Sequence, residues 1–165
     1  MTITIGLFGT CGDSTWRSNF TKVYNELGIS YFNPQVPAGT WTAEHAVIEA
    51  KHLANDKIIL FPVTSETYGT GSLAETGFSI IQAIKSSANR YVIVQIDKHI
   101  DRQLEANAVA AQESLRARAL ILAHLKKIDH DNVFIVPNLD SMLRTSIRLH
   151  SIALDLKDIR AEIKL

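Results

Sequence analysis

Glu75 is the residue best placed to do chemistry in this sequence, within the segment Thr67-Tyr-Gly-Thr-Gly-Ser-Leu-Ala-Glu75-Thr-Gly77. Gly69 and Gly71 permit close backbone approach or a positive φ, and the run that begins at Ser72 has the pattern of a helix start. A carboxylate there feels the partial positive charge of the helix N-terminus, which favours its ionised form. Glu75 is therefore expected to be a nucleophile or base at neutral pH rather than a proton donor, a character suited to attack on an electrophilic sugar carbon. A plainer reading fits the same residues: Ser72-x-x-Glu75 is also a capping box, in which the two side chains satisfy each other's backbone N–H groups.

Other candidates fall on or beside three loops, residues 10–15, 33–42 and 64–72. Phe8 and Tyr68 are candidate pocket walls, and Gly9 and Thr10 open the first loop. Asp13 is the candidate proton donor there, or else the N-cap of the helix that follows. Arg17 sits at that helix start, where anions bind, so it either holds a phosphate or is a surface arginine with a solvated head. Asn33 could bond a sugar hydroxyl or base edge, and Trp41 could stack on a base. Each also reads as ordinary loop chemistry, a turn residue before proline and a packing anchor. Gly71 and Ser72 complete the substrate-binding set.

His45, Glu49 and His52 fall at i, i+4 and i+7 on one helix face, superficially a metal-ligand spacing. They lie opposite that helix's apolar positions, so a solvated surface accounts for them and no metal is expected. The remaining histidines show no catalytic spacing, and Cys11 has no base beside it in sequence. The glycines form neither G-x-x-x-x-G-K-[ST] nor G-x-G-x-x-G, and G-x-S-x-G is absent. ATPase, dinucleotide-dependent and α/β-hydrolase readings lose their main support, and no cofactor is expected.

The elements that must position these residues alternate regularly. Residues 3–9 form a strand that breaks into a loop and then a helix, with Phe20, Val23, Tyr24 and Leu27 at helical spacing and Gly28 as its stop. A short strand over 29–32 leads into Asn33-Pro34. Ala43, Ala46, Val47, Ala50 and Ala54 mark the expected buried face of a second helix. The continuous apolar run over 57–63 is a strand buried on both faces. Leu73, Gly77, Ile80, Ile81 and Ile84 define a third helix, and residues 91–96 a fourth strand. An alanine-rich stretch over 101–127 is helical by propensity. Residues 132–137 supply a fifth strand, and Met142, Leu149, Ile152, Leu156, Ile159 and Ile163 stripe a long final helix.

Strict β-α alternation predicts one α/β domain over 1–165, a doubly wound five-stranded parallel sheet in the flavodoxin-like order 2-1-3-4-5 with helices on both faces. Ligand is then expected beyond the C-terminal ends of the strands, where the order switches between strands one and three. All three candidate loops meet there.

Composition narrows the partners. Of 165 residues, 46% are hydrophobic and 21% charged, as expected of a chain that folds by itself. Seventeen basic residues balance seventeen acidic ones, so no global field gathers nucleic acid or an anionic membrane. A single cysteine excludes an intramolecular disulfide framework, and the N-terminal segment lacks a signal-peptide pattern. A cytoplasmic location and a small-molecule partner are expected, with neither nucleic-acid polymer nor membrane. The apolar stripe of the final helix exceeds what covering one face of the sheet requires, which predicts a homo-oligomer.

A strand followed by x-x-T-x-G-T-G-S-x-x-E-x-G resembles the nucleoside 2-deoxyribosyltransferase family and its related N-glycosidases. The segments GTCGDSTWR and YFNPQVP extend the resemblance to a divergent branch of that family, across most of the first 85 residues. It implies that Glu75 attacks the anomeric carbon of a (deoxy)nucleoside or nucleotide, displaces the base and holds the sugar covalently until a second base or water accepts it. The family carries further acids near the base, whereas here Glu66 is the only acid between the third strand and Ser72. The alternatives are a nucleotide-binding sensor with the same crevice but no turnover, and an interaction protein assembled through its final helix.

Overall fold

The computed structural model describes residues 2–11, 14–37, 39–85 and 90–163. Its elements run β1 (Thr4–Leu7), α1 (Trp16–Glu26), β2 (Ser30–Phe32), α2 (Ala43–Asn55), β3 (Ile58–Val63), α3 (Thr70–Lys85), β4 (Tyr91–Ile96), a 3-10 turn (Arg102–Ala106), α4 (Ala108–Leu125), β5 (Val133–Ile135) and α5 (Leu139–Ile163). The strands form one parallel sheet in the order β2-β1-β3-β4-β5, the flavodoxin-like arrangement that the alternation predicts.

Strand pleating divides the core between the two faces. Ile58 and Leu60 join Ile5, Leu7 and Ile93 beneath α1 and α5, while Ile59, Phe61 and Val63 join Val92, Val94 and Ile96 beneath α3 and α4. Every residue of β3 and β4 is buried, which explains why both read as unbroken apolar runs. Helix α1 ends in a Schellman motif at Gly28 (φ 65°), where the Ile29 and Gly28 amides donate to the carbonyls of Tyr24 (2.8 Å) and Asn25 (3.3 Å). The buried Tyr24 hydroxyl meets Ser146 Oγ at 2.5 Å and ties α1 to α5 across that face.

Two expectations about helices are corrected. The alanine-marked face of α2 is not its buried face. No residue of α2 is fully buried, Val47 is 70% exposed, and the inward side carries His45, Ala46, Glu49, His52 and Leu53, so that of the expected face Ala46 alone turns inward. Alanines contribute little burial, so the rotation of the helix follows stronger contacts. Leu53 packs on the core, and the His52 ring stacks on Phe32 with centroids 3.7 Å apart. The stretch over 101–127 is two pieces, a 3-10 turn and then α4, because the Asn107 side chain caps the Ala110 amide at 3.2 Å. In α5, Met142 and Leu149 are buried, the inward positions include Ser146, His150 and Ala153, and the later stripe positions Ile152, Ile159 and Ile163 are exposed, beyond what covers the sheet. Among the described residues no helix is long and apolar enough to cross a membrane.

Candidate functional site

A crevice of about 430 Å³ lies where β1 and β3 end and the strand order switches. Phe8, Gly9 and Cys11 come to it from the end of β1, Pro34 from the loop after β2, Glu49 from α2, and residues 67–72 with Glu75 from the entry to α3.

The departure of the chain from the sheet follows from Pro62. A proline in a central strand removes one ladder donor, and here it lies beyond the last β1–β3 pair, Leu7 with Leu60. Gly9 crosses over it with φ 88°, and a Cβ there would stand 2.4 Å from the Pro62 carbonyl oxygen, so only glycine fits. The Thr10 amide donates to that carbonyl (2.8 Å), and Thr10 Oγ1 accepts from the Thr64 amide (2.9 Å). Thr10 thereby staples the loop after β1 to the loop after β3, with its side chain turned away from the crevice. Gly69 is constrained in the same way, since its φ is 69° and a Cβ would stand 2.6 Å from Val63. Gly71 meets no such neighbour.

Two buried arginines hold these loops. Arg17 is 2% exposed, and its guanidinium donates to the carbonyls of Leu7 (2.9 Å) and Thr10 (2.5 Å) and lies 3.4 Å from Cys11 Sγ. Burial lowers its pKa against the opposing pull of Cys11. Neither a phosphate site nor a solvated surface arginine describes it, because its donors are used inside the protein. Arg118, from α4, is 0% exposed and does the same for the other loop. It donates to the carbonyls of Val63 (3.0 Å), Thr64 (2.9 Å), Thr67 (2.6 Å) and Asp97 (3.1 Å). Four carbonyls converging on one guanidinium fix the segment that leads into α3.

Glu75 lines the crevice, half-buried. The helix begins at Thr70, two residues earlier than a start at Ser72 implies, with the Gly69 amide donating to Thr67 Oγ1 at 3.1 Å and the Gly69 carbonyl accepting from Leu73 at 2.9 Å. Ser72 is thus an interior residue and cannot be the N-cap of a capping box. Glu75 falls in the second turn, where the end charge of the helix has largely decayed. Its carboxyl is pushed above the usual range, chiefly by burial and further by the charge of Glu49. The expected depression of its pKa is therefore corrected to a rise.

Glu49 is the site residue that sequence reasoning missed. The spacing of His45, Glu49 and His52 on one face is real, but that face turns inward rather than to solvent. His45 Nδ1 accepts from the Thr42 amide (3.0 Å) in an N-terminal cap, and His52 Nδ1 pairs with Asp56 at 2.9 and 3.1 Å. Glu49 between them reaches the crevice. Among the described residues no three metal-ligating side chains converge.

Of the remaining candidates, Phe8, Gly9, Tyr68, Gly71 and Ser72 line the crevice, and Tyr68 is anchored by its hydroxyl donating to the Leu104 carbonyl (2.8 Å). Asn33 does not line it. Its Oδ1 accepts from the Gln35 amide (3.0 Å) in a local turn. Trp41 is 58% exposed outside the crevice, with Nε1 3.4 Å from Glu49 Oε1. Asp13 lies outside the described residues.

The result is a crevice with two carboxyl groups from adjacent helices and, among its described lining residues, no lysine, arginine or histidine. Two carboxyls about one substrate space can provide a nucleophile and an acceptor for hydroxyl or amino donors. No protein-family model matches this sequence, and no curated protein matches it.

Proposed function

We propose that the protein cleaves or exchanges the N-glycosidic bond of an unphosphorylated (deoxy)nucleoside, with Glu75 as the nucleophile. The observation that carries this reading is the pairing of Glu75 with Glu49 in one crevice at the switch point of the sheet. The Glu75 carboxylate attacks the anomeric carbon as the carbon–nitrogen bond breaks, and the departing base takes a proton. A second base or water then attacks the same carbon, and the ester bond to Glu75 breaks to restore the carboxylate.

A carboxyl with a raised pKa is the more basic, hence more nucleophilic, once ionised, provided the pH lies above that pKa. Glu49 supports this role by its charge and accepts hydrogen bonds from substrate donors. Asp13 is the proposed proton donor, on sequence position alone, since Cys11 two residues before it lines the crevice. The substrate is read as a nucleoside rather than a nucleotide because the crevice presents two acids and both neighbouring arginines are bound to carbonyls. Self-association, expected from the final helix, is supported by the exposed Ile152, Ile159 and Ile163, and light scattering checks it.

Incubation with nucleosides and the matching 5′-monophosphates, with and without acceptor base, tests the reaction. Free base should be released from nucleosides, and Glu75→Ala should reduce release by about 10³-fold or more, roughly 4 kcal/mol of barrier. Activity should fall on acidification earlier than an unperturbed carboxylate would dictate, and Glu49→Gln should move that fall to lower pH. Binding of a nucleotide with no base released from any substrate would replace this reading with that of a sensor.

A further inference from the structure

A groove of about 480 Å³ runs along the C-terminal half of α4 beside the loop that follows β4, and it shares no lining residue with the crevice. Ala119, Leu122 and Ala123 give it an apolar floor, and Lys98, Lys126 and Lys127 complete it. Leu122 packs against the core and so fixes the floor, while the two alanines are small enough to leave the groove open. No carboxyl group is among its described lining residues.

Lysines near a helix C-terminus commonly bind its last carbonyls. At the end of α4 that task is already filled by backbone. The carbonyls of Leu122, His124 and Leu125 accept the amides of Lys126 (3.2 Å), Lys127 (2.9 Å) and Ile128 (3.0 Å), so neither ammonium group is needed there. Lys98 comes from a different element, two residues beyond β4. Its neighbour Asp97 is turned elsewhere, accepting from Gln95 Nε2 (2.7 Å) and from the Ser65 amide (2.9 Å). Among the described residues none of the three ammonium groups has an ion-pair, hydrogen-bond or ring partner.

We infer that this groove binds a small phosphate ester with an apolar body. Three unpaired cations from two elements meet over one apolar floor, and charge complementarity calls for an anion that can engage all of them. A phosphate monoester brings about two negative charges and three acceptor oxygens, whereas a carboxylate brings one charge and two oxygens. Lysine stems are long and flexible, so the ammonium groups can close on the phosphate while the stems cover the ester group. The apolar body lies on Ala119, Leu122 and Ala123, in a space of the size that small-molecule sites have. This assignment does not depend on the chemistry of the crevice.

Titration of the full chain with phenyl phosphate, inorganic phosphate and benzoate, read by amide chemical shifts, tests it. Phenyl phosphate should saturate and shift the amides of Lys98 and of residues 119–127, with inorganic phosphate and benzoate each weaker by about tenfold or more. Lys98→Gln and Lys126→Gln should each weaken phenyl phosphate about tenfold, and Lys98→Arg should retain it. Ala123→Leu keeps every charge and suits a helix, and by filling the groove it should bring phenyl phosphate down to the affinity of inorganic phosphate. Lys22→Gln, on α1 at the other face of the sheet, should change nothing. All four positions are exposed, so their replacement leaves the fold intact and the result interpretable. The assignment is overturned if phenyl phosphate does not saturate by about 10 mM, if its shifts fall elsewhere, if benzoate binds as tightly, or if the lysine substitutions or Ala123→Leu leave its affinity unchanged.

Discussion

Helix α1 buries Trp16, Arg17, Phe20 and Tyr24, whereas α2, on the opposite face of the sheet, buries none of its residues. In α1 the aromatic rings of Trp16, Phe20 and Tyr24 meet edge to face, with centroids 5.0 and 6.1 Å apart. Each such side chain gains about 1.5–3 kcal/mol or more by leaving water, so hydrophobic burial is the main force that sets the rotation of α1, and the buried hydrogen bonds of Arg17 and Tyr24 act in the same sense. In α2 that force is weak. A cap at Thr42, a ring stack on Phe32 and the packing of Leu53 set its rotation instead, and Val47 and Ile48 are left outside. A helix held by a few specific contacts is free to turn a carboxylate toward a crevice, and α2 is the helix that carries Glu49.

The largest effect should come from the packed side. Phe20→Ala should cost about 3–5 kcal/mol in urea denaturation, because it leaves a cavity between α1 and the sheet. Arg118→Met should cost about 2–3 kcal/mol by leaving buried carbonyls without a donor, and should also reduce the proposed base release by loosening the entry to α3.

Glu75→Gln should have the opposite sign. A carboxyl with a raised folded-state pKa contributes stability that is fully present below the ordinary carboxylate range and lost as the pH rises through its raised value. Above that raised value the ionised Glu75 therefore works against folding. Its replacement should raise the melting temperature there by the equivalent of less than about 1 kcal/mol, given its partial exposure, and should change little near pH 3. Thermal melts at the two pH values check the sign.

The smallest effect belongs to Val47→Ala, within about 0.5 kcal/mol. A cost comparable with that of Phe20→Ala would break the contrast between the helices, because it would mean that the outer face of α2 is buried in an assembly.

The architecture was legible in the sequence for a particular reason. Strands β3 and β4 are covered on both faces, so each reads as an apolar run, and the signals at Gly28 and Asn33-Pro34 punctuate the chain between elements. The flavodoxin-like order follows from strict alternation and the handedness of crossovers. The candidate site was legible in part. Phe8 and Tyr68 lie just beyond strand ends, and Ser72 and Glu75 lie in the first two turns of the helix that follows, where chemistry-bearing residues stand out against the core pattern. Arg17 was found for the wrong reason, since a guanidinium at a helix start looks the same in sequence whether it meets an anion or a set of carbonyls.

Sequence by itself determined the class of fold, the end of the sheet at which the crevice opens, and Glu75 as its distinctive residue, because these depend on local periodicity and on residues near one another along the chain. Tertiary structure alone decided that Glu49 joins Glu75, that Arg17 and Arg118 are structural, and that the Glu75 carboxyl is pushed up rather than down. Each of these depends on the rotation of a helix about its axis or on which groups distant in sequence come within a few ångströms. Alanine-rich or polar helices do not encode that rotation, because several faces bury nearly the same area and a few individual contacts choose among them.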